Sequence, residues 1–134
     1  MMLCDGKCGV MRTLIVDDSS FMREYLRQNL EQFGAACTEA TNGDEALQRL
    51  RGEQKFELML IDLNMPVMNG LECVARLRAE SLTATMSIMM VTTEADSSFI
   101  ERALECGAHE FLMKPFTPQS LREKLHLLGF LRAS

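Results

Sequence analysis

Two adjacent aspartates end an apolar segment near the start of the chain. In "TLIVDDSSFM", at residues 13–22, the apolar residues Leu14, Ile15 and Val16 are followed at once by Asp17 and Asp18. Neighbouring carboxylates repel each other and resist transfer out of water. We therefore expect a positively charged partner, such as a metal ion, beside this pair.

Three later apolar segments also end in polar residues. Asp62 follows "LMLI", Thr92 and Thr93 follow "SIMMV", and Lys114 and Pro115 follow "EFLM". A single aspartate after a strand is usually a turn residue or a helix cap. Because the pattern recurs after several segments, it predicts that carboxylates, a hydroxyl and an ammonium group meet at one place.

Five short segments with strand character alternate with helical patterns along the chain. The predicted strands are residues 12–16, 36–40, 57–61, 87–91 and 110–113. Ser19 or Ser20 is the expected N-cap of the first helix, and Thr117 followed by Pro118 is expected to begin the fifth. The apolar face of the first helix is predicted to contain Phe21, Met22, Tyr25, Leu26, Leu30 and Phe33. That of the fourth is predicted to contain Ile100, Ala103, Leu104 and Gly107. The buried stripe of the fifth is predicted to contain Leu121, Leu125 and Leu128.

This alternation predicts an α/β fold with a parallel sheet. The segments "LMLI" and "SIMMV" are almost uniformly apolar, as in strands that are covered by helices on both faces, whereas "ACTEA" is more polar and indicates an edge strand. We predict a doubly wound, five-stranded parallel sheet with the flavodoxin-like strand order 2-1-3-4-5. Ligands of such sheets bind beyond the carboxyl ends of the strands, near the point where the strand order reverses.

The predicted edge would hold three carboxylates, which resist full ionisation without a cation. Carboxylate oxygens, a backbone carbonyl and water are ligands that suit Mg²⁺. Asp18 and Asp62 are candidates for direct ligands, with Asp17 acting through water. Lys114 supplies a second positive charge, and a metal with an ammonium group can hold a phosphoryl group. Because a carboxylate can be the nucleophile, the pattern predicts phosphoryl transfer to an aspartate.

From about residue 11 to residue 130, the sequence resembles the receiver domains of two-component response regulators. The matching elements are "VDD" at 16–18, "DLNMPVMNG" at 62–70, "TT" at 92–93 and "KPF" at 114–116. They are spaced by 44 positions from Asp18 to Asp62, 30 from Asp62 to Thr92 and 22 from Thr92 to Lys114. The resemblance is strongest to single-domain, chemotaxis-type receivers. We expect residues 1–10 to be a flexible extension and residues 11–134 to be the receiver domain.

The resemblance implies a phosphoacceptor and a metal site. Asp62 is then the residue that is phosphorylated, and Mg²⁺ is bound by Asp17, Asp18 and Asp62. The backbone carbonyl of Asn64 is implied as a further ligand.

The resemblance also implies a switch. Thr92 would move to donate a hydrogen bond to a phosphoryl oxygen, and Lys114 would pair with the phosphoryl group. The bond between Lys114 and Pro115 is expected to be cis, a form that only X-Pro peptides adopt readily. Phe111 matches the position of the family's switch aromatic.

The sequence departs from the family pattern at two positions. The switch aromatic is often tyrosine, but Phe111 has no hydroxyl, so we expect its inward burial to act through packing alone. The residue after the switch threonine is commonly small, whereas Thr93 is β-branched and is expected to narrow the access to Asp62.

The bulk composition excludes several classes of protein. The formal net charge of −5 and the lack of a basic run argue against binding to nucleic acid. The apolar runs are too short to span a bilayer, and no signal peptide is visible. The five cysteines are odd in number and scattered, which does not indicate a disulfide framework. We therefore expect a cytoplasmic protein.

The functional expectation is a stand-alone response regulator rather than a metabolic enzyme. It would catalyse only its own phosphorylation and dephosphorylation, with a histidine kinase as the phosphodonor. A target protein would bind the surface formed by the fourth helix, fifth strand and fifth helix, as in regulation of a flagellar motor. We expect a monomer or a weak, phosphorylation-dependent dimer.

Three alternatives stay open at this point. The chain could pass its phosphoryl group onward as a phosphorelay intermediate. It could be a phosphatase with an aspartate nucleophile, although such enzymes place a second aspartate two positions later, where this chain has Asn64. It could bind a flavin or a nucleotide, but the segment after the first strand carries carboxylates instead of a phosphate-binding loop.

Overall fold

The computed structural model describes residues 11–52, 55–63, 69–80, 86–93 and 97–130 of the chain. Strands and helices alternate throughout this part. The strands are β1 (Met11–Val16), β2 (Ala35–Ala40), β3 (Leu58–Asp62), β4 (Ser87–Thr92) and β5 (Glu110–Met113). The helices are α1 (Ser20–Gln32), α2 (Gly43–Arg51), α3 (Gly70–Ala79), α4 (Ser97–Cys106) and α5 (Pro118–Leu127).

The five strands form one parallel sheet in the order β2-β1-β3-β4-β5. The doubly wound, flavodoxin-like prediction is therefore confirmed, and the predicted strands agree with the observed ones to within about one residue at each end. The strand order reverses between β1 and β3, which places a crevice beyond the carboxyl ends of these two strands.

Each face of the sheet is covered by a separate apolar cluster. Successive side chains along a strand point to opposite faces of the sheet. The strands β1, β3 and β4 therefore supply residues to both clusters. On one face they pack against α2, α3 and α4, with core residues that include Leu14, Met59, Ile61, Ile88, Met90, Leu47, Val74, Leu77 and Ala103. On the other face they pack against α1 and α5, with Ile15, Leu60, Met89, Val91, Leu26, Leu30, Leu121 and Leu125.

Short polar side chains cap α1, α2 and α5, and the caps of α1 and α5 were predicted from the sequence. The side chain of Ser19 accepts a hydrogen bond from the backbone N–H of Met22 and caps α1, and Asn42 caps α2. Thr117 caps α5, with Pro118 in its first turn. These caps satisfy backbone N–H groups that have no partner within the helix. They also fix where each strand-to-helix loop ends.

Three apolar side chains are more exposed than the periodicity predicted. Phe21 is 76% exposed, because it lies in the first turn of α1 and the buried residues of this helix, which include Leu26 and Leu30, lie in its second half. Leu104 is 48% exposed, since Ala103 takes the position that faces the core. Leu128 is only half-buried because it lies at the C-cap of α5.

Within the described ranges, no helix has the length and apolar character needed to cross a bilayer. The predicted extension at residues 1–10 lies outside the described residues. Cys37, Cys73 and Cys106 are free thiols. Burial raises the pKa of Cys73 to about 11, and burial also raises that of Cys37 to about 11, so both thiols are protonated and unreactive at neutral pH.

Candidate functional site

Four of the predicted site residues lie together at the carboxyl edge of the sheet. Asp17 directly follows β1, Asp62 is the last residue of β3, Thr92 is the last residue of β4, and Lys114 directly follows β5. The backbone N–H of Lys114 donates to the carbonyl of Thr92 at 2.7 Å, which continues the sheet up to the site. The parallel strands therefore bring these side chains to one place, as expected from their positions at the strand ends.

The three aspartates form a compact acidic cluster. One carboxylate oxygen from each of Asp17, Asp18 and Asp62 lies within 4.8 Å of the other two. Asp17 is 1% exposed and Asp62 is 6% exposed, whereas Asp18 faces solvent. Two of the three negative charges are thus largely removed from water, which is costly without compensating positive charge.

The ammonium group of Lys114 supplies part of that compensation. Its Nζ lies 3.3 Å from Oδ2 of Asp17 and 3.6 Å from Oδ2 of Asp62. One ammonium cannot balance three carboxylates, so the cluster retains net negative charge. The oxygen donors and this excess charge fit a hard divalent cation such as Mg²⁺.

Comparison with known proteins agrees with this arrangement. The family model for the response regulator receiver domain matches residues 13–126. This chain belongs to that family. The chemotaxis protein CheY homolog of Campylobacter jejuni strain 81-176 is 43% identical over 116 residues, covering 86% of this chain and 89% of the relative. The chain is a CheY-like receiver domain of two-component signalling.

Two solved structures extend the comparison. The chemotaxis response regulator CheY4 of Vibrio cholerae superposes with a TM-score of 0.83 at 33% identity, covering 89% of this chain and 98% of that one. A response regulator protein from Burkholderia pseudomallei, described with a phosphorylated aspartic acid, a calcium ion and citrate, gives a TM-score of 0.75 at 32% identity. That match covers 83% of this chain and 64% of the other.

In this receiver domain, Asp17 is held by four separate contacts. Its backbone N–H donates to the carbonyl of Ala40 at 3.1 Å, and its Oδ1 accepts from the backbone N–H of Ser19 at 2.9 Å. Its Oδ2 faces Lys114, and its backbone carbonyl accepts from Nη1 of Arg23 at 2.7 Å. The carboxylate of Asp17 therefore has a defined orientation in the described structure.

Arg23 belongs to an ion-pair network that the sequence analysis missed. Its Nε donates to Glu39 at 2.8 Å, and the second oxygen of Glu39 lies 2.7 Å from Nε of Arg27. Burial alone would raise the pKa of Glu39, but the hydrogen bonds from the two arginines outweigh burial and lower it. No short-range motif links these residues, because Glu39 lies on β2 and both arginines lie on α1.

Gly70 is required by the close approach of two segments of backbone. It is the first residue of the receiver's third helix, and its N–H donates to the carbonyl of Leu63 at 2.9 Å. A Cβ at this position would lie 2.6 Å from the backbone oxygen of Asp62 and 2.9 Å from Cε of Met90. The first turn of α3 can therefore approach the end of β3 only because residue 70 has no side chain.

We expect Gly70→Ala to lower the free energy of unfolding by about 1–3 kcal/mol, because overpacking against a backbone atom cannot be relieved by a rotamer change. Urea unfolding measures this. The control is Gly52→Ala, since a Cβ at Gly52 would meet the Arg49 carbonyl oxygen at 3.3 Å, a close contact that asks for a shift of only a few tenths of an ångström. We expect this control to change stability by less than about 0.5 kcal/mol. Equal effects of the two substitutions would contradict the interpretation.

Phe111 of the receiver makes a contact that the sequence analysis did not foresee. The ring is half-buried on β5, and Nζ of Lys124 lies 4.7 Å from the ring centroid. The same ammonium is 2.9 Å from Glu110. An attraction between the cation and the ring face therefore adds to packing in this position of the ring. The expectation that inward burial of Phe111 acts through packing alone stays a prediction.

The remaining predicted features are placed as follows. The bond between Lys114 and Pro115 is cis, as expected. Phe116 is half-buried, and its ring centroid lies 5.6 Å from that of Tyr25 on α1. Thr93 is exposed. Asn64 lies outside the described residues of the receiver, so its backbone carbonyl stays a predicted ligand.

Proposed function

We propose that this receiver domain accepts a phosphoryl group on Asp62 from the phosphohistidine of a histidine kinase, in a Mg²⁺-dependent reaction. The observation that carries the proposal is the cluster of three carboxylates within 4.8 Å, two of which pair with Lys114. This arrangement combines a nucleophile, a site for a cation and a fixed ammonium group at the edge where ligands of this fold bind.

Asp17, Asp18 and Asp62 are the side chains that would bind Mg²⁺, with the backbone carbonyl of Asn64 as a further ligand. The bound metal would neutralise charge on the phosphoryl oxygens during transfer. These three side chains offer one carboxylate oxygen each within 4.8 Å of one another, which is the kind of hard oxygen ligand that Mg²⁺ would take.

In the transfer step, a carboxylate oxygen of Asp62 attacks the phosphorus atom. The bond from phosphorus to the donor imidazole nitrogen breaks, and its electron pair stays on that nitrogen. Lys114, already 3.6 Å from Oδ2 of Asp62, would pair with the transferred group. Thr92 is at the end of the neighbouring strand β4, and its hydroxyl would donate a hydrogen bond to a phosphoryl oxygen.

The similar proteins support the signalling role. The Campylobacter jejuni and Vibrio cholerae relatives are named as chemotaxis proteins, and the Burkholderia pseudomallei relative is described with a phosphorylated aspartic acid. We therefore place this receiver in chemotaxis signalling, with a target protein as its output and no substrate other than its own Asp62. We further propose a cytoplasmic location, which agrees with the free thiols of Cys37, Cys73 and Cys106.

The direct test is labelling of the purified chain with a small acyl phosphate. We expect one phosphoryl group per chain in the presence of Mg²⁺, and none when the metal is chelated. A generic phosphate ester, offered in the same buffer, should not be turned over. Turnover of the ester would favour the aspartate-nucleophile phosphatase, and failure to label with Mg²⁺ present would refute the proposal.

The output is proposed to be a change of the surface formed by α4, β5 and α5. When Thr92 turns toward the phosphoryl group, it leaves space into which Phe111 can move from its half-buried position. Lys124 would lose its contact with the ring in that movement. A complete shift of a two-state population from 1:99 to 99:1 needs about 5.5 kcal/mol of differential binding, to which the contacts of Lys114 and Thr92 with the phosphoryl group would contribute.

We expect beryllofluoride, a mimic of the phosphoryl group, to change hydrogen exchange within residues 97–128 of the wild-type chain. Phe111→Ala and Thr92→Ala should reduce this change by more than half, because each removes one step of the proposed coupling. Mass spectrometry of peptides measures the exchange. Leu50→Ala is the matched control, since Leu50 is also half-buried and lies on α2, outside the measured segment. Identical exchange with and without the mimic would exclude this route.

A further inference from the structure

The Arg23 side chain connects three elements around the acidic cluster. It projects from α1, its Nε donates to Glu39 on β2 at 2.8 Å, and its Nη1 donates to the backbone carbonyl of Asp17 at 2.7 Å. The side chain is 14% exposed. Because the guanidinium is planar and its N–H groups are fixed relative to one another, contact with Glu39 also fixes the direction of the contact with Asp17.

Glu39 is itself held in place. The backbone of Glu39 pairs with that of Ile15 in the parallel ladder between β1 and β2. Its second carboxylate oxygen lies 2.7 Å from Nε of Arg27. One carboxylate therefore receives two guanidinium groups. Because the strand fixes the backbone of Glu39 and each guanidinium takes a different oxygen, the contact of Glu39 with Arg23 does not require Arg27.

The carbonyl that Arg23 holds belongs to the peptide group between Asp17 and Asp18. Rotation of that peptide would change the direction of the Asp18 side chain relative to that of Asp17. The other contacts of Asp17 fix its N–H through Ala40 and its carboxylate through Ser19 and Lys114. Among the residues that the structure describes, the donor to its carbonyl is Arg23. Asp18 faces solvent, so its direction depends on the peptide that precedes it.

We propose that Arg23 is a positioning residue for metal binding: supported by Glu39, it fixes the peptide between Asp17 and Asp18 and so holds both carboxylates in the arrangement that binds the cation. The inference rests on the proposed function, since it concerns the same metal site. In this role Arg23 would bind neither the metal nor the phosphoryl group itself. It acts through the backbone, as outer groups that orient metal ligands commonly do.

Positioning and simple electrostatics predict opposite results for this site. Removing the positive charge of Arg23 makes the surroundings more negative, so charge alone would tighten the binding of a divalent cation. Loss of the hydrogen bond to the Asp17 carbonyl would instead loosen the ligands and weaken binding. The sign of the change in affinity therefore separates the two effects.

The experiment measures Mg²⁺ binding by titration calorimetry in four versions of the full chain. These are the wild type, Arg23→Gln, Arg23→Lys and Arg27→Gln. Arg27→Gln is the matched control, because it removes the same charge and another partner of Glu39, whereas Arg27 contacts Glu39, Glu31 and the Cys37 carbonyl instead of Asp17. Far-ultraviolet circular dichroism at the titration temperature confirms that each variant is folded.

We expect Arg23→Gln to raise the dissociation constant for Mg²⁺ by about tenfold. Arg23→Lys should also weaken binding, because an ammonium keeps the charge but lacks the planar fork. The dissociation constant of Arg27→Gln for Mg²⁺ should stay within about twofold of the wild-type value. This should hold even if the midpoint of its urea unfolding falls as far as that of Arg23→Gln. In Arg23→Gln, the Mg²⁺ concentration that gives half of the maximal labelling rate should rise. The maximal rate itself, measured at saturating Mg²⁺, should change less.

Unchanged or tighter Mg²⁺ binding in Arg23→Gln would overturn the inference, as would equal weakening in Arg27→Gln. Both results leave the proposed function intact as long as the wild-type chain binds Mg²⁺. If the wild-type chain itself does not bind Mg²⁺, the proposed function fails at the same time, so the two failures are distinguishable.

Discussion

The Asp62→Asn variant is expected to take up no phosphoryl group from a small acyl phosphate under conditions that label the wild-type chain fully. The substitution keeps the size of the side chain and removes the carboxylate nucleophile. Asp62 is 6% exposed and ends β3, and it is the carboxylate of the central strand that pairs with Lys114. Intact-protein mass spectrometry under conditions that preserve acyl phosphates measures the adduct.

Asp44→Asn is the control for this experiment. Asp44 is an exposed carboxylate in the first turn of α2, so its loss should leave labelling at the wild-type level. Phosphorylation of Asp62→Asn at the wild-type level would show that another residue is the phosphoacceptor. It would remove the basis of the proposed mechanism.

The second large effect is expected for Asp18→Ala, which should weaken Mg²⁺ binding by more than about 100-fold, because loss of even an outer group costs roughly 10–100-fold. Its carboxylate lies within 4.8 Å of those of Asp17 and Asp62 and repels both when no cation is present. The same variant should therefore be as stable as the wild type, or more stable, in metal-free buffer. Calorimetric titration with Mg²⁺ measures the first effect, and urea unfolding in the presence of a chelator measures the second.

Glu24→Ala provides the comparison, since Glu24 is an exposed carboxylate on α1 that contacts Gln28. It should change neither Mg²⁺ binding nor stability appreciably. A large loss of stability in metal-free Asp18→Ala would mean that the carboxylate supports the fold, and unaltered Mg²⁺ affinity would mean that it is no ligand.

The placement of the site could be predicted from the sequence because it depends on the strands. Asp62 and Thr92 end buried apolar strands, and Asp17 and Lys114 directly follow two others. In a parallel sheet the carboxyl ends of all strands lie at one edge. The predicted strands and their order were therefore sufficient to bring these residues together.

The contacts between separate elements could not be predicted in the same way. Arg23 reaches Glu39, and Lys124 reaches the ring of Phe111, through long and flexible side chains. Such contacts follow no periodicity in the sequence. The exposure of Phe21 depends on which turns of α1 contact the core, which a helical repeat cannot reveal. The closeness of Gly70 to the Asp62 backbone likewise depends on how α3 is placed.

The contact between Tyr25 and Phe116 has an optical consequence. Tyr25 is the single tyrosine of a chain that has no tryptophan, so it provides nearly all of the protein's intrinsic ultraviolet emission. Its ring centroid lies 5.6 Å from that of Phe116, two residues beyond Lys114. Any movement of the segment between β5 and α5 therefore alters the surroundings of this one fluorophore. The unlabelled receiver thus carries its own spectroscopic reporter against Phe116, close in sequence to the lysine that would pair with the phosphoryl group.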